Sequence, residues 1–357
     1  MSYFAGKLRG YLNYKKIEYI HKDPNFIDLM YRFPKVIGSS SMPVIKTDTG
    51  EWLSDTTEII EKLERIHPQP SIEVTTPRLK IISMLLEAWF DDSWLTPALY
   101  TRWLFPESFS VFKNEGGKAL LPFFPKFIRE FAIEKTGMAR MRLYLSSMGV
   151  SDSQVKIIDM WLREQLKALD THFSSQKYLL GNRPTIADYG LLGPMYGHLN
   201  RDPWPKKELM DKLPNLRNWV SRTHGGFDDY DKLSANDKLP ETLLPILHTV
   251  ANEFIPMVNT TVELSKQYVI KANKVKGDRL PRQFKNVEFP MGEGVFRRNV
   301  FSYTLWMMQR IKSEYDRFDV DQKQSVDALL TELGMGNLME SSFGPKLERS
   351  GLGVKLA

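Results

Sequence analysis

The residues able to do chemistry fall into a few groups. The chain contains no cysteine, which excludes disulfides, thiolate zinc sites, iron–sulfur ligation and a cysteine nucleophile together. Its six histidines, at 21, 67, 172, 198, 224 and 248, never fall at ligand spacing, so no metal site is expected. Gly292-Glu-Gly294 lacks the third glycine and the strand–helix context of a dinucleotide fingerprint, and neither a phosphate-binding loop nor a serine-hydrolase elbow occurs. Hydroxyl and carboxylate groups remain. Ser54-Asp55-Thr56 heads an apolar-periodic run, where a cap residue satisfies free N–H groups and the helix end favours a carboxylate. Trp89-Phe-Asp-Asp-Ser-Trp94 and Tyr100-Thr-Arg-Trp103 gather aromatics, two acids and an arginine, a surface able to hold a flat apolar molecule with a polar handle. The commoner use of such a stripe is core. Asp91 and Asp92 are adjacent, so they point to different helix faces and form no acid–base pair.

Positioning these groups requires elements, and the first 67 residues alternate short strand-like and helical pieces. Ala5 to Lys15 reads as a helix and Lys16 to Ile20 alternates like a strand. Asp23-Pro-Asn25 opens a second helix that Pro34 stops. Met42 to Thr47 and Glu51 to Leu53 form a hairpin around Asp48-Thr-Gly50. Ser54 or Asp55 caps a helix with Ile59, Ile60 and Leu63 on one face. From Arg78 onward long helical stripes take over, one through Leu79, Ile82, Leu85, Leu86, Trp89 and Phe90, another from Val155 to Leu169. Residues 105–137 read as a loop or broken helix. Thr185 and Asp188 look like a capping box opening a further helix, and another follows Pro214. The polar stretch 225–240 marks a boundary, beyond which amphipathic helices are expected from Leu243 and around Phe301 to Ile311. The last fifteen residues read as a tail.

With 357 residues, 42% apolar and 26% charged, the chain can bury a sizeable core and form two or three domains. No apolar run reaches the roughly 18 residues of a membrane helix, so a soluble, cytoplasmic protein without a membrane partner is expected. The net charge of +6 is spread along the chain. Residues 1–40 hold seven Lys or Arg against three acids, enough to steer a small anion, whereas the similar excess from Lys266 to Lys285 reads equally as a solvated loop. No nucleic-acid reading motif accompanies the charge.

A strand-then-proline hairpin, a capped helix and then an all-helical half containing Thr185-Ile-Ala-Asp188 resembles the glutathione transferase superfamily. Met42-Pro43 resembles the family's cis-proline ahead of the third strand of its thioredoxin-like domain. Ser54-Asp-Thr-Thr-Glu-Ile-Ile60 resembles its Glu-Ser-x-x-Ile segment, with Asp55-Thr56 in place of Glu-Ser, and Thr185 to Asp188 resembles its folding box. The resemblance covers about residues 1–225. It implies an α+β chain: a thioredoxin-like glutathione-binding domain at 1–70, an all-helical substrate domain at 78–225 and a helical extension at 240–357.

The resemblance also implies glutathione as co-substrate, held by the Met42 backbone, Pro43, Asp55 and Thr56. A cis peptide turns the Met42 backbone groups outward to pair with an extended peptide. The thiol needs a hydrogen-bond donor that lowers its pKa from about 8.5. The loop Ser2-Tyr-Phe-Ala-Gly-Lys-Leu-Arg9 is similar to the family's serine loop, which places Ser2 at the catalytic serine with Tyr3 as runner-up. Trp89, Trp94, Tyr100, Arg102 and Trp103 would wall an electrophilic, aromatic or apolar co-substrate, and Lys7 or Lys35 would meet the glycine carboxylate. A homodimer is implied by resemblance alone. The absence of cysteine sets aside the branch that reduces glutathione mixed disulfides. Two further readings stand beside a transferase: a noncatalytic binding or assembly protein on the same fold, and a glutathione-dependent isomerase. One departure bears on them. The family's first strand, central in its sheet, has no counterpart before Ser2, so the sequence starts late, another segment fills the gap, or the sheet is reduced.

Overall fold

The computed structural model describes residues 2–226 and 237–357, with the side chains of 136–140 left out; the expected boundary at 225–240 lies largely outside the described residues. The first element of the described residues is α1 (Tyr3–Tyr14). Residues 17–25 carry no regular structure, so the strand expected at Lys16 to Ile20 is corrected. Among the described residues no neighbouring strand is available to pair with them, and alternation alone cannot hold a strand. A π-type turn, Asp28–Arg32, runs into α2 (Phe33–Ile37). Pro34 does not stop the helical run, which continues through it to Ile37 and ends at Gly38 in the left-handed region.

The expected hairpin is present as β1 (Val44–Lys46) and β2 (Trp52–Ser54), antiparallel, with Val44 opposite Ser54 and Lys46 opposite Trp52. These are the strands of the first seventy residues among those described. The helix α3 (Thr56–Ile66) follows, capped by Asp55 and burying Ile59, Ile60 and Leu63. The helical half comprises α4 (Pro77–Ser93), α5 (Leu95–Trp103), α6 (Pro106–Leu120), α7 (Lys126–Ala132), α8 (Met138–Ser147), α9 (Val155–Ser175), α10 (Ile186–Pro194), α11 (Pro203–Glu208) and α12 (Pro214–Gly225). The segment 105–137 is thus helix broken at residues 121–125, where Pro122 and Pro125 punctuate the chain.

The region beyond 237 carries the expected extra helices and, beside them, two hairpins that the helical reading did not include. After α13 (Leu244–Thr249) and α14 (Ile255–Lys271) comes a hairpin, β3 (Gln283–Met291) with β4 (Gly294–Phe301), then α15 (Ser302–Asp316), α16 (Val320–Glu332) and a second hairpin, β5 (Leu347–Ser350) with β6 (Gly353–Leu356). Gly292, at φ 57, is the turn of the first hairpin, a conformation that costs glycine little. The expected C-terminal tail is a folded hairpin, and β6 is extended by backbone bonds from Gly277 and Leu280 to Leu356 and Val354.

One apolar core runs through all three regions. Leu8 and Tyr11 of α1, Leu85 and Trp89 of α4, Trp161 of α9, and Met257, Leu305 and Met308 beyond the boundary are all buried in it. Close approach of α1 to α10 depends on small residues: a side chain at Gly10 would collide with Leu192, and one at Gly193 with the Tyr3 ring. The folding-box reading of Thr185 and Asp188 is met by a reciprocal capping box. Asp188 does more than cap. Its carboxylate also accepts from the Leu179 backbone N–H (3.0 Å) and the Trp219 indole (3.1 Å), joining α10, α12 and the preceding loop. Burial pushes its carboxyl up to about 6 against those donors. Asp188→Ala would orphan three buried N–H donors at about 1–3 kcal/mol each. Urea unfolding is expected to show a loss of at least about 3 kcal/mol, and an unchanged midpoint would contradict this role.

Candidate functional site

The hairpin register brings four of the expected residues together. Because Val44 lies opposite Ser54, the residues that precede one strand and follow the other, Met42 and Pro43 against Asp55 and Thr56, share one end of the ribbon. The Met42–Pro43 peptide is cis. Met42 is exposed, and its backbone N–H and C=O make no hydrogen bond within the described residues. Asp55 occupies φ 77, ψ 116, a region uncommon for a residue with a side chain. Three bonds hold it there: Oδ1 accepts from the N–H groups of Thr57 (3.0 Å) and Glu58 (3.3 Å), and Oδ2 accepts from the Tyr303 hydroxyl (2.7 Å).

Under this end of α3 lies a buried charge cluster. Lys7 of α1, fully enclosed, donates to Glu87 (2.7 Å) and Asp91 (2.6 Å) of α4 and to the Thr57 hydroxyl (3.3 Å), which itself donates to Glu87 (2.8 Å). Arg310 of α15 lies 3.6 Å from the second Glu87 oxygen and also bonds Glu61 of α3. Burial works against every charge here, and the partners decide the outcome. Burial would lower the Lys7 ammonium, but Asp91 and Glu87 outweigh it and raise it. Burial would raise Glu87, but Lys7 and Arg310 hold it below the ordinary carboxylate range. Asp91 is left with the larger penalty: burial pushes it up to about 7, Glu87 adds to the rise, and Lys7 opposes it only in part.

The other expected residues are distributed as follows. Ser2 caps the start of α1, half-buried, with a hydroxyl that makes no capping bond. Tyr3 is buried and donates its hydroxyl to the Phe90 carbonyl at 2.5 Å, so the expectation that it could serve a thiol is corrected: its proton is already committed. Lys7 is corrected likewise, since its ammonium is consumed inside the cluster, whereas Lys35 is exposed on α2. Trp89 and Trp94 are enclosed edge to face with Trp161 and are core, not a ligand wall. Arg102 grips Asp202 through two bonds (2.7 and 3.0 Å) and the Gly197 carbonyl (2.6 Å). Tyr100 is buried, with burial and the nearby Asp159 raising its hydroxyl to about 12. Trp103 is half-buried against Phe109 and Phe112. Aromatic spacing could not separate these cases, because a helix core and a pocket wall share one periodicity.

Sequence reading missed what the C-terminal region brings. Besides Tyr303 on Asp55 and Arg310 on Glu61, Arg349 of β5 pairs with Glu58 (2.6 Å), and Gly351 in the β5–β6 turn lies against Gly38 and Ser39, just before Met42. A cleft of about 460 Å³ opens beside these contacts, lined by Trp52, Ser54, Glu58, Lys62, Arg65 and Arg349 among others. It adjoins the start of α3 without reaching Met42 or Thr56. No group of acids and histidines able to hold a metal occurs among the described residues.

Against known proteins, residues 1–66 match the family model of the glutathione S-transferase N-terminal domain, and residues 118–224 that of the glutathione S-transferase C-terminal domain. No curated protein matches the chain. Similar solved structures include the beta-etherase LigF of Sphingobium sp. strain SYK-6, 20% identical over 62% of this chain and 90% of its own, with a TM-score of 0.43. A glutathione S-transferase of Rhodospirillum rubrum F11 is 17% identical over 67% of this chain and 93% of its own, TM-score 0.37. Another, from Methylobacterium radiotolerans JCM 2831 in complex with glutathione sulfonate, is 17% identical over 66% and 94%, TM-score 0.38.

The cluster carries a pH signature. Asp91 sits near 7 in the folded chain and about 3.9 unfolded, so between those values the folded state binds more protons and stability falls as pH rises. Glu253, pushed by burial up to about 7, contributes a slope of the same sign. Asp91→Asn removes its share. Urea midpoints at pH 5 and 7.5 should differ less in Asp91→Asn than in the parent, and equal differences would contradict the assignment.

Proposed function

The chain belongs to the glutathione S-transferase superfamily, and from that premise we propose that it binds glutathione where Met42, Pro43, Asp55 and Thr56 meet and transfers it to an electrophilic, apolar small molecule. The observation that carries this reading is the juxtaposition of the unpaired Met42 backbone with the start of α3. Met42 offers an N–H and a C=O to the cysteinyl unit of the tripeptide as a neighbouring strand would. The first N–H of α3, at Thr56, is not taken by the Asp55 cap, which serves Thr57 and Glu58; with the helix dipole it suits the γ-glutamyl carboxylate. Asp55 would take the ammonium, since each carboxylate oxygen has two acceptor positions and Tyr303 fills one.

Ser2 is the remaining hydroxyl for the sulfur. Lying at the start of α1, it would donate to the thiolate at the positive end of a helix, both of which lower the thiol pKa. The thiolate then attacks the electrophilic carbon; a C–S bond forms, the bond to the leaving group breaks with its electron pair, and the thiol proton goes to solvent. Exposed Lys35 stays a candidate for the glycine carboxylate. Of the five aromatic and arginine positions, Trp103 is the one with ring surface left for the electrophile.

One observation favours a second reading, a noncatalytic binding or assembly protein. The chain's own Tyr303 and Arg349 occupy acids at the start of α3, where a ligand would be held. A thermal-shift titration with reduced glutathione separates the two. Under the transferase reading the parent gains about 2.7 kcal/mol at a hundredfold excess over Kd. Asp55→Ala loses that gain. Ser2→Ala keeps it, while turnover of an aryl halide falls about a hundredfold. No shift at millimolar glutathione would set the transferase reading aside.

A further inference from the structure

We propose that the segment linking α6 to α8 is a docking face for an anionic lipid surface. The helix α7 in its middle has no buried residue, and it packs against α6 and the turn that follows it. Apolar side chains of the helix and of the turn before it are turned to solvent: Phe127 is 73% exposed and Phe131 63%, with Ile128 exposed beside them, and in the turn Phe123 is 94% exposed next to exposed Phe124. Phe127 and Phe131 are one helical turn apart and share a face. Single exposed aromatics are ordinary, whereas a contiguous set on a helix with no core contact marks an interaction surface.

The charge around these rings selects the occupant. Residues 118–142 hold six Lys or Arg against two Glu. Both acids are matched within the chain, Glu130 by Lys126 (3.8 Å) and Glu134 by Lys113 (3.3 Å). Lys118, Arg129 and Arg142 make no ion pair among the described residues. Aromatic rings surrounded by cations suit the headgroup boundary of a negatively charged bilayer, where rings enter the acyl edge and cations meet phosphates. A second copy of this chain fits less well, because a two-fold contact would set the same cations against each other. No described helix is long and apolar enough to cross a membrane, so the contact lies on the surface. This changes the expectation from sequence that the chain has no membrane partner, and it is independent of the glutathione reading.

Flotation with phosphatidylcholine vesicles, with and without about 30% phosphatidylglycerol, tests it. The expected result is recovery with the anionic vesicles alone, falling as salt rises. Phe123→Ser/Phe127→Ser and, separately, Lys118→Glu/Arg129→Glu should each weaken binding about tenfold or more. Phe123, Phe127 and Lys118 are exposed and Arg129 is half-buried beside Gly117, so melting temperatures should stay close to the parent value. The proposal is overturned by absence of binding to either vesicle, by equal binding to both, or by undiminished binding of the phenylalanine variant. It is overturned equally if light scattering finds a dimer that Phe127→Ser dissolves, because the occupant would then be a second copy.

Discussion

An ammonium shut away from water must find its charge partners inside the protein, and Lys7 does so where four helices meet. Its partners Glu87 and Asp91 belong to α4, Thr57 to α3, and Arg310, on the far oxygen of Glu87, to α15. Removing Lys7 alone would leave Glu87 and Asp91 buried with only Arg310 near them, at a cost of about 3–5 kcal/mol. The cluster therefore fixes the start of α3 to α1 and α4. Met42, Asp55 and Thr56 are placed by the hairpin register, but the helix end they face is placed by Lys7.

The C-terminal region is built into this arrangement rather than appended to it. Asp92, next to Asp91 but on another helix face, bonds Arg298 of β4 and Thr304 of α15. Two adjacent acids thus anchor α4 in opposite directions, one toward the N-terminal half and one toward the C-terminal region. Tyr303, Arg310 and Arg349 then reach back to α3. A small N-terminal unit whose described strands form one two-stranded ribbon gains packing surface and polar partners from a region outside both matched domains.

What the sequence made legible was local. Asp55, Thr185 with Asp188, Met42-Pro43 and Pro214 announce caps and turns through their own backbone preferences, and the structure places each in that setting. The strand expected at Lys16 to Ile20 does not form because pairing is a property of two segments, and no partner segment lies beside it among the described residues. The β3–β4 hairpin did carry a signal: Val287, Phe289 and Met291 alternate inward around a Gly-Glu-Gly turn. The basic excess ending at Lys285 drew that stretch into a loop reading instead. Tyr303 on Asp55 spans 248 positions, and no spacing rule reaches that far. Nor could periodicity tell that Trp89 and Trp94 face the core, since the three-dimensional neighbour Trp161 decides it.

Lys7 holds α1, α3, α4 and α15 as one cooperative unit. Hydrogen–deuterium exchange on Lys7→Met, compared with the parent, addresses it directly. In such a unit protection falls together in Thr56–Ile66, Pro77–Ser93 and Ser302–Asp316 as well as in Tyr3–Tyr14. Loss confined to Tyr3–Tyr14, with the other three helices as protected as in the parent, would contradict it.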